Sequence, residues 1–269
     1  MCALPYSLSF ALKPIRTLPV SAGVPHRAPH ALFYHWLEAA EPKLAQFVHD
    51  QADPKPFTVS PLTADGDERF RFRVTLLEDQ YWPYIQQGMK AERTIRADDK
   101  ILALDGEPQV EHRTCIEIAQ AASARWEIVL CFDSPTSFKS REMTYPLPDP
   151  MLVFASYRAR WDAFVPPELH IDDAWMEWLA QSVAVSRFEL ASQVVDLGKY
   201  QQIGCVGKVQ YAVVARGPEA DAGRGPLNAL ADYAYFCGTG HKTTQGMGQT
   251  RRLERWEPDK SPPQRQPVA

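Results

Sequence analysis

Tyr6, Leu8, Phe10 and Leu12 alternate with Ser7, Ser9, Ala11 and Lys13, a period of two that predicts a half-buried strand ended by Pro14. After a Pro- and Gly-bearing loop the period becomes helical. Leu32, Phe33, Trp36, Leu37 and Ala40 share one face of a helix opened by Pro29, which is tolerated in a first turn. A short second helix is predicted from Pro42 to about His49, burying Leu44, Phe47 and Val48. Extended segments follow at 56–62, 69–77, 101–104 and 111–119, with a helix at 81–89 between them. Strand, helix, strand, strand, helix, strand is the order of a ferredoxin-like domain.

The second half repeats that order. A strand at 127–132 leads into a loop over 133–141. Helices are predicted at 150–164 and 172–178, with Trp161, Trp175 and Trp178 as core anchors. Strands at 183–195 and 203–214 precede a helix over 226–236, where Leu227, Leu230, Ala231 and Ala234 fall at helical spacing. A glycine-rich loop and a last strand at 249–256 follow. The reading is α+β: two tandem ferredoxin-like domains, 1–125 and 126–256. The Pro-rich, polar tail 257–269 is expected to be disordered. No repeat is visible between the halves, so the duplication rests on element order.

Composition narrows the function classes. A hydrophobic content of 45% over 269 residues supports a real core. Net charge is −4, so no global basic field advertises a polyanion. Residues 200–269 nevertheless carry nine Lys/Arg against six Asp/Glu, a local +3 that leaves −7 to the remainder. A polyanion would meet a local groove. The five cysteines are scattered without Cys-x-x-Cys spacing, against a disulfide framework or zinc site and in favour of a reducing cytoplasm. Neither a signal peptide nor a membrane span is expected.

The candidate chemistry centres on residues 235–252. Gly238/Gly240 and Gly246/Gly248 bracket an insert carrying His241 and Lys242, with Arg251 and Arg252 just beyond. Glycines let backbone amides approach a ligand, and successive amides form an anion-binding concavity. Gly238 alone also reads as a helix C-cap. A dinucleotide fingerprint fails because Thr243 stands where a third glycine belongs, and a P-loop fails because His241 separates Gly240 from Lys242. A ribose-phosphate chain remains the expected ligand. No DxD, HExxH or acidic cluster points to a metal, and no cofactor is expected.

Four stretches, in order, resemble one family. They are Pro42–His49 with Lys55–Leu62, Ser134–Lys139, Gly204–Tyr211 and, most specifically, Gly238–Gly248. The chain resembles the CRISPR-associated endoribonucleases that cut precursor CRISPR RNA within its repeats, the sixth Cas family of the RAMP superfamily. The resemblance implies metal-independent cleavage leaving a 2′,3′-cyclic phosphate, a CRISPR repeat RNA as partner, and guide delivery to an interference complex. A homodimer is left open. It also implies a catalytic set of His49, Tyr34 and Lys55, within the first domain.

The residue types suit that chemistry. Removing the 2′-hydroxyl proton and protonating the departing 5′ oxygen fits histidine, whose ordinary pKa is about 6.5. Lys55 offers a point charge to the developing anion, and Tyr34 orients the 2′-hydroxyl, or shares proton transfer if its pKa is lowered. Plainer readings exist: His49 as a C-terminal helix cation, Tyr34 as a core residue, Lys55 as a solvated lysine. His30 is the competing catalyst because i,i+4 spacing puts it on Tyr34's face. His26 lies in the preceding loop. Lys139, Arg141, Lys208 and Arg158 are candidate phosphate contacts, and His241 either touches RNA or holds the loop. The alternative function is a non-catalytic RAMP-fold subunit holding guide RNA. A generic RRM-type reader lacks its aromatic signature here.

Overall fold

A computed structural model describes residues 4–17, 27–66, 69–97, 99–140, 142–198 and 200–257. His26, Arg141 and the tail beyond 257 lie outside them. The first half contains β1 (Tyr6–Thr17), α1 (Ala28–Ala40), α2 (Pro42–Asp50), β2 (Phe57–Val59), β3 (Thr63–Ala64) and β4 (Phe70–Leu76). It continues with α3 (Trp82–Ala91), β5 (Thr94–Ala97), β6 (Lys100–Leu104), β7 (Gln109–His112) and α4 (Cys115–Ala121). The second half contains β8 (Glu127–Thr136), β9 (Phe138–Ser140), β10 (Met143–Tyr145), α5 (Pro150–Phe164), α6 (Ala174–Ser182) and β11 (Val183–Asp196). Then come β12 (Gln201–Val213), α7 (Pro218–Ala222), α8 (Arg224–Cys237) and β13 (Thr250–Leu253).

Each half builds one main antiparallel sheet, and in the second half β9 and β10 form a further two-stranded one. In the first, β4 and β1 are central, β2 flanks β4, and β6 and β7 share the other edge of β1. The second runs β11-β12-β8-β13. Both follow the ferredoxin-like strand order, so the expected architecture of two such domains is the observed one.

The alternation in β1 works as predicted on one side: Leu8, Phe10 and Leu12 are buried against Trp36, Phe72 and their neighbours. The polar side differs. Ser7, Thr58 and Thr75 are also buried, because this face meets the second half of the chain. Ser7 Oγ donates to the Tyr235 hydroxyl at 3.2 Å, and Thr75 Oγ1 to the Phe236 carbonyl at 2.6 Å.

Four expectations are corrected. Phe47, expected on the buried face of α2, is 61% exposed, and that helix buries Ala45 and Val48. β1 does not stop at Pro14; it reaches Thr17 through a register shift between Pro14 and Arg16, an irregularity where a missing N–H is tolerated. The strand expected at 111–119 is only β7, after which Thr114 caps α4 in a reciprocal capping box with Glu117. Cys115 and Ile118 of α4 then pack in the core of the second half, although they precede residue 125. The loop expected over 133–141 is largely extended, since β8 runs to Thr136 and β9 begins at Phe138.

Candidate functional site

α1 and α2 meet at Glu41, which breaks the helix and caps α2 through its carboxylate on the Lys43 amide. That junction folds α2 back on α1, so that Tyr34 from α1 faces His49 at the end of α2, ring centroids 5.7 Å apart. His30, one turn before Tyr34, lies 5.0 Å from it on the other side. The i,i+4 reasoning therefore placed His30 and Tyr34 together correctly, and three rings line up: His30, Tyr34, His49.

Their environments differ. The His49 side chain is 69% exposed, with Nδ1 3.2 Å from the Asp50 carboxylate. A carboxylate accepts, so in that contact Nδ1 carries the proton. Burial, with the Asp53 carboxylate nearby, pushes the Tyr34 phenol up to about 12. The expectation that Tyr34 could transfer protons through a lowered pKa is thus overturned: at neutral pH it is a hydrogen-bond donor. His30 Nδ1 lies 2.7 Å from the Thr244 carbonyl, which fixes its proton on Nδ1. Burial holds this imidazole below the usual histidine value, against the Thr244 bond, and the charges of Arg27, His49 and Lys242 add to the lowering.

Lys55 is not a solvated lysine. Its Nζ donates to the carbonyls of Val48 at 2.8 Å and His49 at 2.7 Å, and to Gln51 as well. These are orphan carbonyls at the end of α2, so the ammonium serves as that helix's cap. All three of its donors are engaged, and the backbone beneath His49 is fixed by them. Burial lowers its pKa.

The glycine loop is the larger surprise. The expected concavity of free amides is not formed by the glycines. Gly238 N donates to Ala234 O, Gly246 N to Val59 O at 3.0 Å, and Gly248 N to Pro135 O at 3.0 Å. Gly240 N faces Ser156 Oγ at 3.5 Å. His241 N and Thr239 N are also spent, on Ser137 O and Gly248 O. A Cβ at Gly240 would stand 2.2 Å from the Ser137 carbonyl oxygen, and one at Gly248 2.1 Å from that of Thr239, both at positive φ. These glycines allow close passage of the loop between β2 and β8. The loop is a clasp.

What the loop presents outward is cationic side chains. Lys242, in a left-handed conformation, lines a cavity of about 480 Å³ with Lys55, Lys139, Arg160, His241 and Asp53. His49 does not itself line this cavity; its backbone carbonyl is held by Lys55, which does. Arg160, absent from the sequence reading, donates to the carbonyls of Gly240 at 2.6 Å and Ser156 at 3.1 Å. Its signal was the Ser156/Arg160 i,i+4 pair on a helix whose other face carries Tyr157 and Trp161. His241 holds the loop through Nε2 to Ser137 Oγ at 2.9 Å, and burial drives its pKa down to about 4.

Other candidates go elsewhere. Arg251 shares its Nε–H between the two carboxylate oxygens of Asp133 at 2.9 and 3.1 Å, and Arg252 binds Asp232 at 3.0 Å and Asn228. Both line a separate cleft with His112, Arg113 and Tyr235 rather than the cavity around Lys242. Arg158 is tied to Asp162 and Asp173, and Lys208 reaches the Glu257 carbonyl and Glu189. Among the described residues, no group of three or more His, Cys, Asp or Glu is disposed to hold a metal. No described helix is long and apolar enough to cross a membrane.

Paired ferredoxin-like domains clasped by a glycine loop define an architecture shared with solved RNA-handling proteins. A structure described as an RAMP protein binding different RNA substrates has the same fold at 12% identity, with TM-score 0.58 over 93% of this chain and 100% of that one. The relation to two further structures is tighter. A Cas6 product complex matches at TM-score 0.78 and 26% identity, and Thermus thermophilus Cas6 at 0.72 and 25%, covering 93% and 94% of this chain and 100% of each of those. The model of the CRISPR Cas6 N-terminal domain matches residues 4–103, and that of the CRISPR-associated endoribonuclease Cas6 matches residues 130–250. The chain belongs to the Cas6 family. Cas6 of Mycobacterium tuberculosis is 33% identical over 120 residues, 45% of this chain. Cas6 of Streptococcus thermophilus is 21% identical over 140 residues, 52% of this chain. The matched stretches span 37% and 56% of those two relatives.

Proposed function

We propose that this protein is an endoribonuclease that cuts precursor CRISPR RNA within its repeats by attack of the substrate's own 2′-hydroxyl, without metal. The observation that carries the proposal is the exposed His49 imidazole, packed on a protonated tyrosine beside a lysine- and arginine-lined cavity. In this reading a histidine takes the 2′-hydroxyl proton while O2′ bonds to phosphorus. The P–O5′ bond breaks, the leaving oxygen takes up the proton that the histidine removed, and a 2′,3′-cyclic phosphate remains. Tyr34 donates to the reacting ribose or phosphate. Lys242 and Lys139 hold the flanking phosphates, Arg160 braces the loop, and Lys55 steadies the backbone under His49. His49 is the assigned catalyst over His30, whose ring is half-buried and already engaged with Thr244. The four described cysteines, Cys115, Cys131, Cys205 and Cys237, are buried.

The test is cleavage of a cognate repeat RNA in EDTA, beside the same RNA with a single 2′-deoxy nucleotide at the cut. The proposal expects full cutting of the first and binding without cutting of the second. Cutting of the deoxy substrate contradicts 2′-hydroxyl attack. Tight binding without cutting of either favours a subunit that holds guide RNA.

A further inference from the structure

The polarity of the molecule's concave surfaces is uneven. Beyond the C-terminal end of α5 lie two adjoining cavities of about 580 and 950 Å³ that share Glu168 and Leu169. The floor of the smaller is aromatic: Trp161, Trp175 and Trp178. Its larger neighbour is walled by Ile116, Phe164 and Val165. Four carboxylates, Glu78, Asp79, Glu168 and Asp172, edge the pair, and no lysine or arginine is among the described residues lining either. Cations close in sequence are committed elsewhere, Arg158 to Asp162 and Asp173, Arg160 to the carbonyls of Ser156 and Gly240, and Arg224 to Asp221. An acidic rim of this kind repels a phosphate backbone, whereas the cavity around Lys242 attracts one.

We propose that this groove is a docking surface for a protein partner presenting a basic amphipathic helix. Apolar side chains would fill the tryptophan-floored cavity while lysines or arginines meet the carboxylates. Two features select that occupant. Carboxylates around an apolar cavity favour a cation with an apolar stem. The helix-in-groove mode matches an elongated apolar trough, and charge complementarity fixes the sign. The groove shares no lining residue with the cavity of Lys242, so a bound helix and a bound RNA need not compete.

The experiment uses the full chain and a synthetic helical peptide of about 14 residues, leucine at i, i+3, i+4 and i+7 and lysine elsewhere. Two controls are its glutamate counterpart and a scrambled lysine peptide lacking an apolar face. Binding is followed by tryptophan fluorescence and calorimetry. The expected result is saturable one-to-one binding of the lysine peptide, at least about tenfold weaker for both controls. The double variant Asp79→Lys/Glu168→Lys, both exposed, is expected to weaken the lysine peptide by about tenfold or more while RNA cleavage is unchanged. Trp178→Ala is expected to weaken it too. Equal binding of all three peptides, no saturable binding below ~1 mM, or an unaffected double variant would each overturn the proposal. So would sedimentation of the protein alone as a dimer that the double variant dissociates, since the occupant would then be a second copy.

Discussion

His49 and His241 show how one residue type takes opposite roles. His49 ends a helix in solvent, while His241 is wedged between the loop and Ser137, where burial and the charges of Lys242 and Lys139 keep it neutral. The folded pKa of His241, about 4, lies below the ordinary value near 6.5. The unfolded chain therefore protonates first, so the stability that His241 contributes is full above the unfolded value and is lost as pH falls toward the folded one. Melting curves of the protein and of His241→Asn should show a difference that shrinks as pH drops from about 7 toward about 4.5. A constant difference would mean that the ring does not titrate this way. The sequence offered no means of separating these histidines, because the distinction lies in Ser137 and Lys139, about a hundred positions away. Tyr34 has the same history: its helix face was readable, but the burial that raises its phenol was not.

At the scale of elements, helical and strand periods were legible wherever one face alone met a core. They failed where a residue pair overrode them. The Thr114/Glu117 capping box was written in the sequence and turns an expected strand into α4. The glycine loop was recognised as special for only part of the reason. Its amides are consumed by Val59, Pro135 and Ser137, partners no spacing rule reaches. Gly240→Ala must place a Cβ against the Ser137 carbonyl at a positive φ. The left-handed conformation alone costs about 1–2 kcal/mol, and displacement of a packed backbone adds about 1–3 kcal/mol. Urea unfolding should show a loss of ~2 kcal/mol or more. An alanine variant as stable as the parent would mean that Gly240 does not pass against the Ser137 carbonyl as described.

Over the whole molecule, the first half supplies His30, Tyr34, His49 and Lys55, and the second supplies Lys139, Arg160 and Lys242. The site is completed by packing between them. Thr75 on Phe236, Gly246 on Val59, His30 on Thr244, Ser7 on Tyr235 and Arg73 on Gln249 at 2.8 Å are among the polar stitches across that boundary. With net charge −4 the molecule has no long-range field to gather RNA, so affinity depends on a few local cations. Replacing Lys139 and Lys242 together by alanine should weaken repeat-RNA binding and reduce the slope of log K against log salt by about 0.7–0.9 per lost phosphate contact. An unchanged slope would mean that neither lysine meets phosphate. The account as a whole is tested most directly by single-turnover cleavage of repeat RNA by His49→Ala, with affinity measured on the same sample and His30→Ala run beside it. The prediction is a rate lower by about 10²–10⁴ for His49→Ala at unchanged affinity. A His49→Ala protein that cuts at the parent rate, with His30→Ala inactive, would contradict it.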